Sequence, residues 1–186
     1  MAESQANYSD RELMELFRMP GKKETAFNLI VRKYKEKMYW HIRKLVISHE
    51  DSDDVLQNTF IKVWNALESF REDASLYTWL YRIATNEALS FLNNRKRRFL
   101  LPLVDVEKQL TNSLENDPWF NGDALQLKLQ KAILTLPEKQ RVVFNMKYFD
   151  EMKYEEMAEI LETSVGALKA SYHHAVKKIE KLITED

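Results

Sequence analysis

Apolar residues recur every three to four positions along most of this 186-residue chain, and no stretch alternates convincingly with a period of two. A 3.6-residue period puts those side chains on one stripe of a helix, and a helix buries such a stripe. The turn-formers that a strand-rich fold consumes are scarce, with three Gly and four Pro in the whole chain. Hydrophobic residues at 45% supply enough apolar surface for a packed core. The sequence therefore predicts an all-α protein, long enough for one large domain or two small ones.

Cysteine is absent, which excludes a disulfide frame and thiolate metal sites. The opening "MAESQANYSDRELM" lacks a basic-then-apolar signal pattern, and no apolar run approaches membrane-spanning length. The expectation is a cytoplasmic protein without membrane insertion. Net charge is −1, unevenly placed: +3 over 1–98 (17 Lys/Arg, 14 Asp/Glu), −4 over 99–123 (one, five) and 0 over 124–186 (ten, ten). Bulk charge thus gives no case for polyanion binding, and any such case is local.

"RFLLPLVDVEKQLTNSLENDPWFNGDA", residues 98–124, breaks the helical pattern with Pro102, Pro118, Gly122 and several Asn and Asp. It reads as a linker over 99–123 between a first domain, 1–98, and a second, 124–186. Its apolar residues (Leu100, Leu101, Leu103, Val104, Trp119, Phe120) are odd for a free tether; they are expected to pack on one domain or, on a sharper reading, to lie along a partner's surface.

In the first domain, Phe27, Ile30, Val31, Tyr34, Met38 and Ile42 form one stripe. Ser52 reads as the N-cap of the next helix, with Leu56, Phe60, Val63 and Leu67 facing the core. Asp54, Gln57, Asn58 and Lys62 are left on its polar face. In the third block Leu80, Ala84, Ala88 and Phe91 are the buried stripe. Trp79, Arg82, Asn86, Asn93 and Arg97 line a second one, which combines a stacking ring, amide edges and cations. Such a face is commonly just solvated, but it holds what single-stranded nucleic acid requires.

Beyond the linker, Thr135 and Glu138 in "TLPE" predict a capping box opening a helix through Tyr148. "KYEEMAEILETSVGALKASYHHAVKKIEKLI" reads as helix, short turn, helix, with small Ala158 allowing close approach. Met157, Leu161, Leu168, Tyr172, Ala175, Ile179 and Leu182 are its expected buried side. Lys169, Ala170, His173, His174, Lys177 and Lys178 fall outside it, where a recognition helix meets the major groove.

Three blocks in this order resemble a bacterial RNA polymerase sigma factor of the extracytoplasmic-function (ECF) type, in the sigma-70 family. They are "DSDDVLQNTFIKVW", "YTWLYRIATNEALSFLNNRKRR" and "LPEKQRVVFNMKYFDEMKYEEMAEIL" with "SVGALKAS". The resemblance implies a region 2-like helical bundle joined by the linker to a region 4-like helix-turn-helix domain. It implies that Asp54, Gln57 and Asn58 dock on the clamp helices of core RNA polymerase. It further implies that the Phe70 to Leu76 loop, with Arg71 and Ser75, captures a flipped non-template base, and that Arg82 and Asn86 read the downstream box. Trp79 and Arg97 share that face. Lys169, Ala170, His173 and His174, followed by Lys177, match contacts to the upstream duplex box. The implied partners are core polymerase (clamp helices and flap), promoter DNA as duplex and as non-template single strand, and an anti-sigma protein; no cofactor or metal is implied. Glu162 stands where many relatives have Gly, and Ser171 and His174 where many have Arg.

Three rival readings use fewer of these features. An autonomous helix-turn-helix regulator leaves the Asp54–Gln57–Asn58 and Trp79–Arg82–Asn86 faces without a role. A helical adaptor leaves all three faces without one. A metalloenzyme would recruit His41, His49, Asp51, Asp53 and Asp54, whose spacing fits no ligand pattern.

Overall fold

The computed structural model describes residues 8–98, 110–117 and 123–184, and every regular element among them is helical. Helix α1 (Asp10–Arg18) starts on a reciprocal cap, in which Ser9 accepts from the Glu12 amide and Glu12 accepts from the Ser9 amide. Leu13, Met14 and Phe17 bury its inner face. Its Asp10 carboxylate accepts from the Lys33 ammonium at 2.7 Å and the Tyr34 hydroxyl at 2.5 Å, fixing α1 on α2 (Lys23–Val46).

Helix α2 is the axis of the first domain, packing on α1, on α3 (His49–Ala66) and on α4 (Leu76–Arg98). It ends at Ile47, whose backbone (φ 70°, ψ −46°) is a γ-turn closed by the Ser48 amide on the Val46 carbonyl at 3.0 Å. That conformation is strained for a β-branched residue. Burial holds it, since the Ile47 side chain is 1% exposed.

Two expectations fail at α3. Ser48, not Ser52, is the N-cap, and its hydroxyl accepts from the Asp51 amide. Ser52 lies inside the helix and donates to the Ser48 carbonyl, as Thr59 does to Val55. With those hydroxyls satisfied internally, Ser52, Val55, Thr59 and Val63 form the fully buried face, and Leu56 and Phe60 turn to its margin.

The second domain comprises α5 (Ala124–Leu134), α6 (Glu138–Tyr148), α7 (Tyr154–Leu161) and α8 (Val165–Thr184), with α8 packed on the other three. The Thr135–Glu138 capping box does not form. Thr135 ends α5, donating to the Ala132 carbonyl at 2.8 Å, and Pro137 occupies the N-cap of α6. Met157, Leu168, Ala175 and Ile179 are buried as expected, whereas Leu182 is 37% exposed.

Within the expected linker, residues 110–115 are helical. Leu110 and Leu114 close a small apolar cluster with Ile47 at the end of α2 and Leu134 at the end of α5. Asp117 pairs with the nearly buried Arg43 of α2, and Glu115 with Lys131 of α5 at 2.5 Å. The other apolar linker residues named above lie outside the described residues.

The two domains touch. Helix α7 packs on α4 and α6 on α2, and one apolar cluster runs from Ile30 and Leu80 to Val142, Met157 and Leu168.

Candidate nucleic-acid and polymerase interface

Burying Val55, Thr59 and Val63 rotates Asp54, Gln57 and Asn58 onto the solvent face of α3, where all three are exposed. Ile61 (58% exposed) and Trp64 (38%) extend that strip, so the polar surface carries two large apolar groups that sequence periodicity did not single out. Trp64 is braced edge-on by Phe27, with ring centroids 5.0 Å apart. Lys62 is paired with Glu87 of α4.

The loop between α3 and α4 divides its residues. Phe70 and Leu76 are buried, and the Phe70 ring lies 4.9 Å from that of half-buried Trp79. Ser75 caps α4, accepting from the Thr78 amide at 3.1 Å. Arg71 and Ser75 are exposed, and Glu72 holds a left-handed backbone (φ 61°). The loop walls a cleft of about 540 Å³ whose opposite side includes Glu156 and Glu159 of α7.

Along α4 the structure brings Arg82 and Asn86 beneath the second domain. The Arg82 guanidinium donates to the Glu159 carbonyl at 2.5 Å and stands 3.4 Å from the Glu162 carboxylate. Asn86 opens onto an apolar cleft of about 340 Å³ between α4 and the helix-turn-helix, walled by Leu89, Ile160 and Leu168 among others. Arg97 is exposed farther along, and Arg95 is taken up by Asp51 of α3 at 2.8 Å.

Helix α8 opens at Ser164, which accepts from the Ala167 amide. Lys169, Ala170, His173, His174 and Lys177 all lie exposed on the side away from Leu168, Ala175 and Ile179. Lys169 sits 5.7 Å over the Tyr154 ring, which orients the ammonium from α7. Lys178 instead donates to the Thr135 carbonyl. The turn before α8 is made by Glu162 with φ 51°, a left-handed position that glycine occupies at lower cost.

One cluster escaped sequence reading. Asp150, in the corner between α6 and α7, accepts from His41 Nδ1 at 3.1 Å and from the Lys44 ammonium, both on α2. The His41 Nε2 lies 2.9 Å from the Thr85 hydroxyl of α4. Burial pushes the Asp150 carboxyl up, but His41 and Lys44 outweigh it and hold the group below the usual carboxylate range. Asn145 of α6 donates to the Lys44 carbonyl at 3.2 Å. His49, by contrast, meets the Tyr39 hydroxyl through Nδ1 and stands 3.6 Å from the Asp53 carboxylate through Nε2, while His41 is turned to Asp150 and Thr85, so the two histidines share no site. Among the described residues no helix is long and apolar enough to cross a membrane.

Residues 30–98 match "Sigma-70 region 2" and residues 126–179 match "Sigma-70, region 4". The chain is 32% identical to the RNA polymerase sigma-H factor of Pseudomonas aeruginosa, over 94% of this chain and 93% of that protein. It is 33% identical to the ECF RNA polymerase sigma-E factor of Escherichia coli K12, covering 94% of both. Among solved structures it resembles the sigma factor RpoE in complex with the anti-sigma factor NepR from Bartonella quintana, with a TM-score of 0.68. That likeness has 23% identity and covers 86% of this chain and 98% of that one.

Proposed function

The chain belongs to the sigma-70 family of RNA polymerase sigma factors, in the ECF group, and from that premise we propose how its residues divide the work of directing core polymerase to promoters. Residues 1–98 form the polymerase-binding and downstream-box domain, 99–123 the linker, and 124–186 the upstream-box domain. Asp54, Gln57 and Asn58 dock on the polymerase clamp. Arg71 and Ser75 hold the mouth of the loop that captures a flipped base, with Phe70 and Leu76 as its packed base. Trp79 stacks, and Arg82, Asn86 and Arg97 contact the downstream box. Lys169, Ala170, His173, His174 and Lys177 contact the upstream one.

The observation that supports this division is that the polar residues named on α3, α4 and α8 are left out of the local cores while their helices are well anchored, with Trp79 the one ring of the α4 stripe half-packed on Phe70. Phosphate contacts from the cations position the duplex, and amide and imidazole groups meet base edges. The subunit is non-catalytic. It carries no Walker-type phosphate loop, so strand opening is driven by binding unpaired bases, which offsets a few kcal/mol of unstacking. It works in the cytoplasm, with polymerase, and an anti-sigma protein such as the one in the RpoE–NepR complex is its restraint.

Run-off transcription with sigma-free core polymerase and a pool of promoter fragments tests this. The reading requires discrete transcripts that depend on the protein and weaken in both Gln57→Ala and Asn86→Ala. Polymerase-independent retention of specific duplexes, without transcripts, would replace it with an autonomous regulator.

A further inference from the structure

The groups facing the His41 ring are Thr85 and Tyr81 from α4, Asp150 from the α6–α7 corner and Lys44 from its own helix; α1 and α3 place no titratable group within bonding distance of it. Thr85 has a single hydroxyl proton, and it donates that proton to the Tyr81 carbonyl at 2.7 Å. Toward His41 the Thr85 oxygen can therefore only accept, so Nε2 carries hydrogen. The Asp150 carboxylate, ionised beside Lys44, also only accepts, so Nδ1 carries hydrogen as well. Both nitrogens protonated is imidazolium.

We propose that His41, in its protonated form, and Lys44 grip Asp150 as a proton-dependent latch that closes the second domain over the chain's own Arg82–Asn86 face. The closed arrangement is incompatible with DNA at that face. Arg82 is occupied by Glu159 and Glu162, and carboxylates of α7 wall the loop cleft where phosphates would run. Closing takes up a proton, so the closed state is favoured at low pH and loses that contribution as pH rises. The consequence for promoter access rests on the assignment of Arg82 and Asn86 above; the latch itself does not.

The chain has no cysteine, so Glu36→Cys on α2 and Glu180→Cys on α8, both exposed, allow clean dye labelling of the full-length protein. Energy transfer between them reports closure without DNA or polymerase. From about pH 6 to 8 the closed-to-open ratio is expected to fall, by at most about tenfold per pH unit. Asp150→Asn, outside the first-domain core, should be more open throughout and lose the slope, which separates the latch from exposed His49, His173 and His174. Nitrogen-15 NMR of His41 in the closed state should show both ring nitrogens protonated. A transfer efficiency independent of pH, a slope that survives in Asp150→Asn, or a neutral His41 ring in a closed chain would overturn the proposal. None of those results touches the transcription experiment, so the two readings fail separately.

Discussion

Glu162 turns the chain between α7 and α8 with a left-handed backbone, and from that turn its carboxylate stands 3.4 Å from Arg82 of α4. The residue joins backbone strain to an interdomain contact. Glu151, at the other end of α7, is left-handed too (φ 52°). Glu162→Gly should relieve the backbone and raise stability by about 1 kcal/mol, or roughly 2–4 °C in Tm. The lost pair subtracts little, because Glu162 is 75% exposed at its side chain. Thermal unfolding checks it, and an unchanged or lower Tm would mean the pair outweighs the strain.

Ser9→Ala removes one half of the reciprocal cap on α1. A cost of about 1 kcal/mol is expected. It should appear as faster amide exchange in residues 10–18, with α8 unaffected, since α1 packs on α2.

Leu114 is fully buried between the ends of α2 and α5. Leu114→Ala should cost about 2 kcal/mol or more. Because the 110–115 helix is too short to stand alone, the loss should surface as protease cleavage within 110–117 before either domain unfolds. Cleavage at the wild-type rate would show that polar contacts such as the Arg43–Asp117 and Glu115–Lys131 pairs hold the segment without Leu114.

Asp54→Ala and Gln57→Ala alter exposed positions, so stability should stay within about 0.5 kcal/mol of wild type. Affinity for core polymerase should fall for each by about 1 kcal/mol or more, roughly five- to tenfold. Equal affinity in a binding titration would move the docking face away from α3.

The Asp150 carboxyl, held below its ordinary range by His41 and Lys44, sets an acid limit on closure. Its contribution is complete above the unfolded value near 4 and is lost as pH falls through the lowered folded value. Energy transfer in the wild type should therefore drop again below about pH 4, and Asp150→Asn should lack that limb. A common acid limb in both would assign it to other carboxylates.

The helices of both domains and the exposed faces of α3 and α8 were legible because periodicity and charge are local properties of the chain; the α4 stripe reads as open surface in sequence, but the second domain covers its Arg82 and Asn86. The exposed strip on α3 emerged even though the first half of its buried stripe sits one position earlier than expected, on Val55 and Thr59 in place of Leu56 and Phe60, while Val63 and Leu67 are buried as expected. Periodicity ranks Leu56 and Phe60 above Ser52 and Thr59, and it does not register that a hydroxyl bonded to the i−4 carbonyl can be buried. Thr135 and Glu138 had capping-box spacing, but Thr135 was already committed to the end of α5. The cap of α1 is legible in "SDRE", where Ser9 and Glu12 stand at capping-box spacing. The helical turn at 110–115 was hidden by the Pro and Asn around it, since its stability comes from Ile47 and Leu134, far away in sequence. His41 and Asp150 are 109 residues apart, and no local pattern announces such a pairing. It surfaces only when α2 and α6 meet.

The latch joins two parts of one chain, so closing is unimolecular. Dilution leaves its equilibrium unchanged, whereas each captured partner must be present near its own dissociation constant. A tether of this kind typically holds its two ends at millimolar effective concentration. A few copies of the protein in a cell would thus be as thoroughly closed as a concentrated sample, and polymerase would compete with a fixed ratio rather than with the protein's abundance.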